Sequence, residues 1–308
     1  MSAATGEQFE LVRDSALGRA QAIITELAAS VRALTLNGED LVESYPVEES
    51  PPGGSGIVMM PWPNRICGGV WRLNGIPQQL DITEPNAGNA IHGLLRNTGY
   101  RVDERGPDSL RLSAPIFPQH GYPFRLDTSV TYQLVDAGLS VTHSVTNLSA
   151  TPAPVAVGAH PYLRVGPTPV GELTLTMQAR TYFTTNSANI PIAEYSVAGS
   201  PFDFRSGCRV GDISVDTAFV LPDAPEYRHR LSAPDGRFTE LWQDSSFRFV
   251  QVYTHPSFPR AGGAGLAIAI EPMTAPPDAF NTGQGVRWVH PGETWECSWG
   301  ITGGADHD

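Results

Sequence analysis

"FRLDTSVTYQLVD", residues 124–136, and "GLSVTHSVTNLS", residues 138–149, decide how this chain is read. In both stretches apolar and polar side chains alternate, and Val, Thr and Leu recur. A period of two is that of a strand with one face buried and the other wet. The short connection between them predicts an antiparallel hairpin. "ELTLTMQAR", "RFVQVYT", "GLAIAIEP" and "TWECSWGI" have the same strand-like character. Thirty-one Gly and 27 Pro interrupt these runs along the whole chain, which favours many short strands over long helices.

One segment pulls the other way. Residues 20–34 are rich in Ala and Leu and could form a helix by propensity. The same residues also divide into "AQAIITEL" and "ASVRALTLNG" around Ala28–Ala29, and in an all-β setting tertiary pairing overrides propensity. We read them as strands. "ESPPGGSG", residues 49–56, reads as a surface loop, and no shift in composition marks a second domain. The expectation is one all-β domain over residues 1–308, a large antiparallel β-sandwich.

Composition excludes several function classes. Charged residues make up 17% of the chain and hydrophobic ones 41%, so a packed core is expected rather than disorder. A net charge of -12 opposes a nucleic-acid surface, which needs clustered cations. All 20 basic residues are arginine, so mechanisms that need a Schiff-base or phosphate-loop lysine are excluded. Cys67, Cys208 and Cys297 are far apart and form no CxxC pair, which argues against a zinc ribbon or a redox dithiol. "MSAATGEQFELVRDS" lacks the apolar core of a signal peptide, and no run approaches 18 apolar residues, so a cytoplasmic protein without a membrane partner is expected.

Polar residues at the ends of apolar runs are the candidates for chemistry. His160 ends "PVAVGA" and is followed by Pro161; Glu271 ends "GLAIAI" and is followed by Pro272. A carboxylate entering apolar surroundings loses hydration unless it is paired. Asn64–Arg65 in "PWPNRICGG", His92 in "NAIHG", Asp216 in "SVDTAFV" and Gln251 in "FVQVYT" have similar placements. Each also has a plain structural reading. Glu271 can sit on a solvated rim, His92 can be a turn residue before Gly93, Arg65 can pair with a surface acid, and Asp216 can cap a turn. No short spacing of ligands supports a metal site.

Taken in order, "NRICGGVWRLNG", "NAIHG", "GAHPY", "VDTAF", "VQVYT", "IEPMTAPPDAFN" and "PGETWECSWGI" resemble the aldose 1-epimerase (galactose mutarotase) family, over about residues 10–302. The resemblance implies a large twisted supersandwich with a sugar site in an open cleft, and no cofactor. It implies Glu271 as general base and His160 as general acid, with Asn64, Arg65, His92, Asp216 and Gln251 holding sugar hydroxyls. Tyr162, beside His160, and Trp62 are candidate aromatic contacts by adjacency, because sugar C–H faces pack on rings. At ordinary pKa values Glu271 would be ionised at neutral pH and His160 about a quarter protonated. Three alternatives stand beside a free-sugar mutarotase: an epimerase for hexose 6-phosphates, which would need cations such as Arg72 or Arg96 at the cleft, a sugar-binding protein without turnover, and a glycosidase. The implied partner is a small monosaccharide; the oligomeric state is not legible.

Overall fold

The computed structural model describes residues 3–260 and 262–306. The Leu126–Val135 and Gly138–Asn147 strands form the expected hairpin, in register from Leu126 opposite Asn147 to Val135 opposite Gly138. Gly138 is required there, because a Cβ would lie 2.0 Å from the carbonyl oxygen of Ile301 on the next strand. That next strand, Thr294–Ala305, continues the hairpin into an antiparallel sheet of nine strands. Burial alternates along Gly138–Asn147, with Leu139, Val141, His143 and Val145 inside, so this part of the sheet has one covered face and one wetter face.

Residues 20–34 are strands. Gly18–Thr25 pairs with Gln8–Ser15 along its full length and with Val31–Leu36 on its other side. The break falls at Ala28 and Ala29, which adopt left-handed backbone conformations with φ of 56° and 47°. Hydrogen bonds hold them: the Ala28 N–H donates to Thr98 O at 2.8 Å, and the Tyr132 hydroxyl donates to Ala29 O. Helix propensity yields here to long-range pairing. This four-stranded sheet packs on the 126–147 hairpin.

An eight-stranded antiparallel sheet contains Asp216–Val220, Phe249–Phe258 and Gly265–Met273 as neighbours. Val250, Val252, Ile268 and Ile270 join the same apolar cluster as Tyr132, Val141 and Leu241 of the nine-stranded sheet and Leu11 and Ile24 of the four-stranded one. The opposite face is covered as well, and Ala267 and Ala269 pack there with Tyr162 and Phe258. Burial on both faces explains why "GLAIAIEP" reads as a nearly unbroken apolar run. Among the described residues the α-helix is a single turn, Ala279–Thr282, and none is long and apolar enough to cross a membrane.

Candidate active site

The second face of the eight-stranded sheet carries the polar residues. Val250 and Val252 point to the core, so Gln251 between them points away; the same alternation turns Glu271 away from the side of Ile268 and Ile270. Register places Gln251 directly opposite Glu271 and opposite Ala218, two residues from Asp216. Three strands thus bring Asp216, Gln251 and Glu271 to one face, Asp216 diagonal to Gln251, and Gln251 Nε2 donates to Asp216 Oδ1 at 2.5 Å.

His160 arrives by the same logic. Gly158 faces Met273 and Tyr162 faces Ala269, so the antiparallel register carries His160 across from Glu271. Pro161 lacks an N–H, and its carbonyl accepts from Ile270 N at 3.2 Å. The His160 backbone is fixed by bonds to the neighbouring loop, Gly56 N to His160 O at 2.8 Å and His160 N to Ile57 O at 3.2 Å. His160 Nε2 lies 3.4 Å from Glu271 Oε1, and the two residues are only 5% and 2% exposed.

Asn64, Arg65 and His92 come from a small two-stranded element in which Arg65 pairs with Ile91. Asn64 and His92 both have positive φ, and the His92 N–H donates to Asn64 O at 2.8 Å. The glycine after His92 permits this turn, since a Cβ on Gly93 would lie 2.1 Å from Met60 O. Asp278 braces the element from behind: its N–H donates to Arg65 O at 2.7 Å, and its Oδ1 accepts from Cys67 N at 2.9 Å. The His92 ring stands edge-on to His160 at 5.4 Å. Arg65 grips Glu84 with two nitrogens, Nε to Oε2 at 2.9 Å and Nη2 to Oε1 at 2.9 Å, while Asn89 donates to Oε2 at 3.0 Å.

These residues line one open cleft of about 600 Å³. It brings together Asn64, Arg65, His92, His160, Asp216, Gln251 and Glu271. Tyr162 is corrected: its ring is fully buried and stacks behind His160 at 5.2 Å, off the cleft wall. Trp62 is likewise buried against Phe280, and Arg72 turns to the Gly75 carbonyl on a separate hairpin. Sequence reasoning missed Glu84, Asn189 and Tyr253, and it took the 49–56 segment for a surface loop although Pro51, Gly53 and Gly54 form part of the wall. Tyr253 had a signal, because alternation puts it on the same face as Gln251. Glu84 and Asn189 lie in turns with no periodicity to mark them.

Burial changes the protonation expected from the sequence. It pushes the Glu271 carboxyl well above the ordinary range, the Asp216 charge adds to this, and Arg65 offsets only part. It pushes His160 down to about 4, with Arg65 and His255 acting in the same direction. His92 falls well below its usual value through burial and the charges of His160, Arg96 and Arg65. For Arg65 burial works against the charge, but the bonds to Glu84 and the fields of Asp216 and Glu271 outweigh it and raise the pKa. Between the lowered His160 and the raised Glu271 the pair holds a single proton, and its titration belongs to the pair. Four buried atoms of the cleft residues have no partner in the protein: Glu271 Oε2, His160 Nδ1, His92 Nδ1 and Gln251 Oε1. Unsatisfied buried polar atoms are costly, and several together in a cleft point to a polar ligand. Among the described residues no group of three His, Cys, Asp or Glu side chains is arranged to hold a metal ion.

A two-layered β architecture whose inner sheet opens into a polar cleft is the galactose mutarotase-like fold. Solved structures agree: a GalM/aldose epimerase homologue from C. elegans matches with a TM-score of 0.83 at 22% identity, over 98% of this chain and 100% of that one. A galactose 1-epimerase from Lactobacillus acidophilus matches with a TM-score of 0.78 at 19% identity, over 100% and 97%. The chain belongs to the aldose 1-epimerase family, whose model matches residues 11–302. It is also 31% identical to the uncharacterized protein YihR of Escherichia coli K12 over 290 residues, 94% of this chain and 92% of that protein.

Proposed function

We propose that the chain interconverts the α and β anomers of an aldohexose by opening and reclosing the pyranose ring. The carrying observation is the His160–Glu271 pair at 3.4 Å, with unpartnered polar atoms on residues that line the same cleft. Anomer exchange needs a base at the C1 hydroxyl and an acid at the ring oxygen. Both oxygens are bonded to one carbon, so acid and base must converge on nearly one point. Glu271 takes the proton of the C1 hydroxyl, His160 delivers a proton to the ring oxygen, and the bond between C1 and the ring oxygen breaks to give the open-chain aldehyde. Rotation about C1–C2 presents the other carbonyl face, and the two residues then act in reverse.

A pair sharing one proton suits this reaction, because one member must be able to give while the other takes. Hydrogen bonds from the C1 hydroxyl to Glu271 favour its ionised form and so move the shared proton to His160 once sugar is bound. Asn64, Arg65, His92, Asp216 and Gln251 offer donors and acceptors to the remaining hydroxyls, and fixing the ring shortens both proton transfers. The test is polarimetry of freshly dissolved α-glucose and α-galactose. The protein accelerates relaxation to equilibrium, and Glu271→Gln slows it by about 10²–10⁴-fold. Unchanged exchange in Glu271→Gln with sugar still bound would make this a binding protein instead, and release of phenol from an aryl glycoside would make it a glycosidase.

A further inference from the structure

The last strand of a sheet has outward N–H and C=O groups that invite pairing, and folded proteins blunt such edges with charges, prolines and bulges. The nine-stranded sheet does so at Arg101–Arg105, where only Val102 is uncharged and the register shifts between Val102 and Glu104. The eight-stranded sheet ends at Pro191–Ser196, in which Glu194 is the one charged residue. Pro191 has no N–H, and the register to Thr181–Thr185 skips Ile192, so the start of this strand is blunted. The stretch Ala193–Ser196 is not. Val197 N donates to Arg180 O at 3.1 Å, and Tyr195 lies opposite Tyr182. Alternation then turns the backbone groups of Tyr195 to the neighbouring strand and those of Glu194 and Ser196 outward.

The side chains stop short at this edge as well. Phe219, Phe202, Tyr182 and Tyr195 form a row of rings running outward from the core, with successive centroids 6.2, 4.7 and 6.1 Å apart. Phe219 is fully buried, whereas Tyr195 at the end of the row is 53% exposed. Glu194 lies on the other face, where its carboxylate accepts from the Thr181 hydroxyl. Each copy of the chain carries a net charge of -12, so contact between copies is least opposed where charge is sparse. An antiparallel strand pair is two-fold symmetric, so this edge can mate with its own copy. Centring the pair on Glu194 would set two carboxylates opposite each other, and centring it on Ala193 would need the irregular backbone at Ile192. Centring it on Tyr195 avoids both. Glu194 then exchanges backbone hydrogen bonds with the partner's Ser196, and the two Tyr195 rings form the closer, non-hydrogen-bonded pair.

We propose that Ala193–Ser196 is a self-association edge, at which two copies of this chain pair antiparallel about Tyr195 and join their eight-stranded sheets. The two rows of rings become one continuous row across the two-fold axis. A few backbone hydrogen bonds and one aromatic pair make a contact smaller than the roughly 1,200–2,000 Å² of a standard stable interface, so the dimer dissociates on dilution. The pairing stands apart from the anomer-exchange reading and does not depend on it.

Sedimentation equilibrium of the whole chain at rising concentration reads the association. The mass is expected to climb from that of one chain toward twice that value. Tyr195→Lys sets like charges across the two-fold axis, and Ser196→Pro removes an outward N–H without touching the bonds to Thr181–Thr185. Each should raise the dissociation constant about tenfold or more, while Tyr195→Phe keeps the ring pair and the dimer. A melting temperature near that of the parent, by circular dichroism, shows that the variants act on association and not on the fold. Tyr195→Cys decides if either of them fails to fold. A mild oxidant should link two copies of it, because the non-hydrogen-bonded pair brings the Cβ atoms close. Val102→Cys on the charged edge should link no more than the parent, in which Cys67 is exposed. A mass that stays at one chain at every concentration, a dissociation constant untouched by both substitutions, or no excess linking of Tyr195→Cys over Val102→Cys would overturn the proposal.

Discussion

The two large sheets each bury a histidine, and the difference between them separates structure from chemistry. In the nine-stranded sheet His143 is wholly buried and accepts a hydrogen bond from Trp299 Nε1 at 3.0 Å through Nε2. In the eight-stranded sheet His160 is equally dry, and the Nδ1 of each ring has no protein partner, but the His160 Nε2 faces a carboxylate at 3.4 Å. Burial lowers both, His143 to about 3 and His160 to about 4. Desolvation alone therefore does not mark a reactive group. What differs is the partner: a neutral indole donor holds one ring, while the other faces a buried carboxylate with which, on the proposed function, it exchanges a proton.

The comparison breaks most sharply at the pair itself. His160→Gln should cut anomer exchange by about 10²–10⁴-fold while the melting temperature stays near that of the parent, measured by polarimetry and circular dichroism. If the two substitutions, His160→Gln and His143→Leu, slow exchange equally, the distinction between the sheets is void. The pH profile of kcat/KM should be bell-shaped. The acid limb lies near pH 4, where His160 takes a second proton onto the pair, and the alkaline limb lies above the ordinary carboxylate range, where Glu271 gives up the last one.

Arg65→Met should raise KM about tenfold to a hundredfold, because it removes charge-assisted bonds and leaves Glu84 without its cation. Smaller still is the effect expected of His143→Leu: a stability loss of about 1–3 kcal/mol in urea unfolding, from the orphaned Trp299 N–H, with exchange kept within about twofold. His143 also predicts a pH signature for folding. It stays neutral when folded down to about 3, whereas the unfolded chain protonates it near 6.5. Its contribution is thus complete above 6.5 and is lost as the pH falls toward 3, and the Leu variant should flatten that part of the stability curve. His229, lowered to about 4 by burial, acts in the same direction. The mildest effect belongs to Tyr162→Phe, which keeps the stack on His160 and removes only the 3.5 Å contact to Gly53 O; a loss above about 1 kcal/mol would show that hydroxyl to matter more than its geometry allows.

The sequence by itself determined the strands and the kinds of side chain available for chemistry. Alternation at 124–149 is local information, and the hairpin follows from it residue by residue. The motif residues were legible because unusual polar types interrupt apolar runs, as His160 and Glu271 do before their prolines. The tertiary structure decided what those residues face. Register between distant strands set His160 across from Glu271, stacked Tyr162 behind the ring instead of beside the cleft, gave Arg65 to Glu84, and placed Arg96 on the cleft wall. The protonation states moved for the same reason: a pKa depends on the water a group has lost and the charges around it, and both are set by segments far apart in the chain.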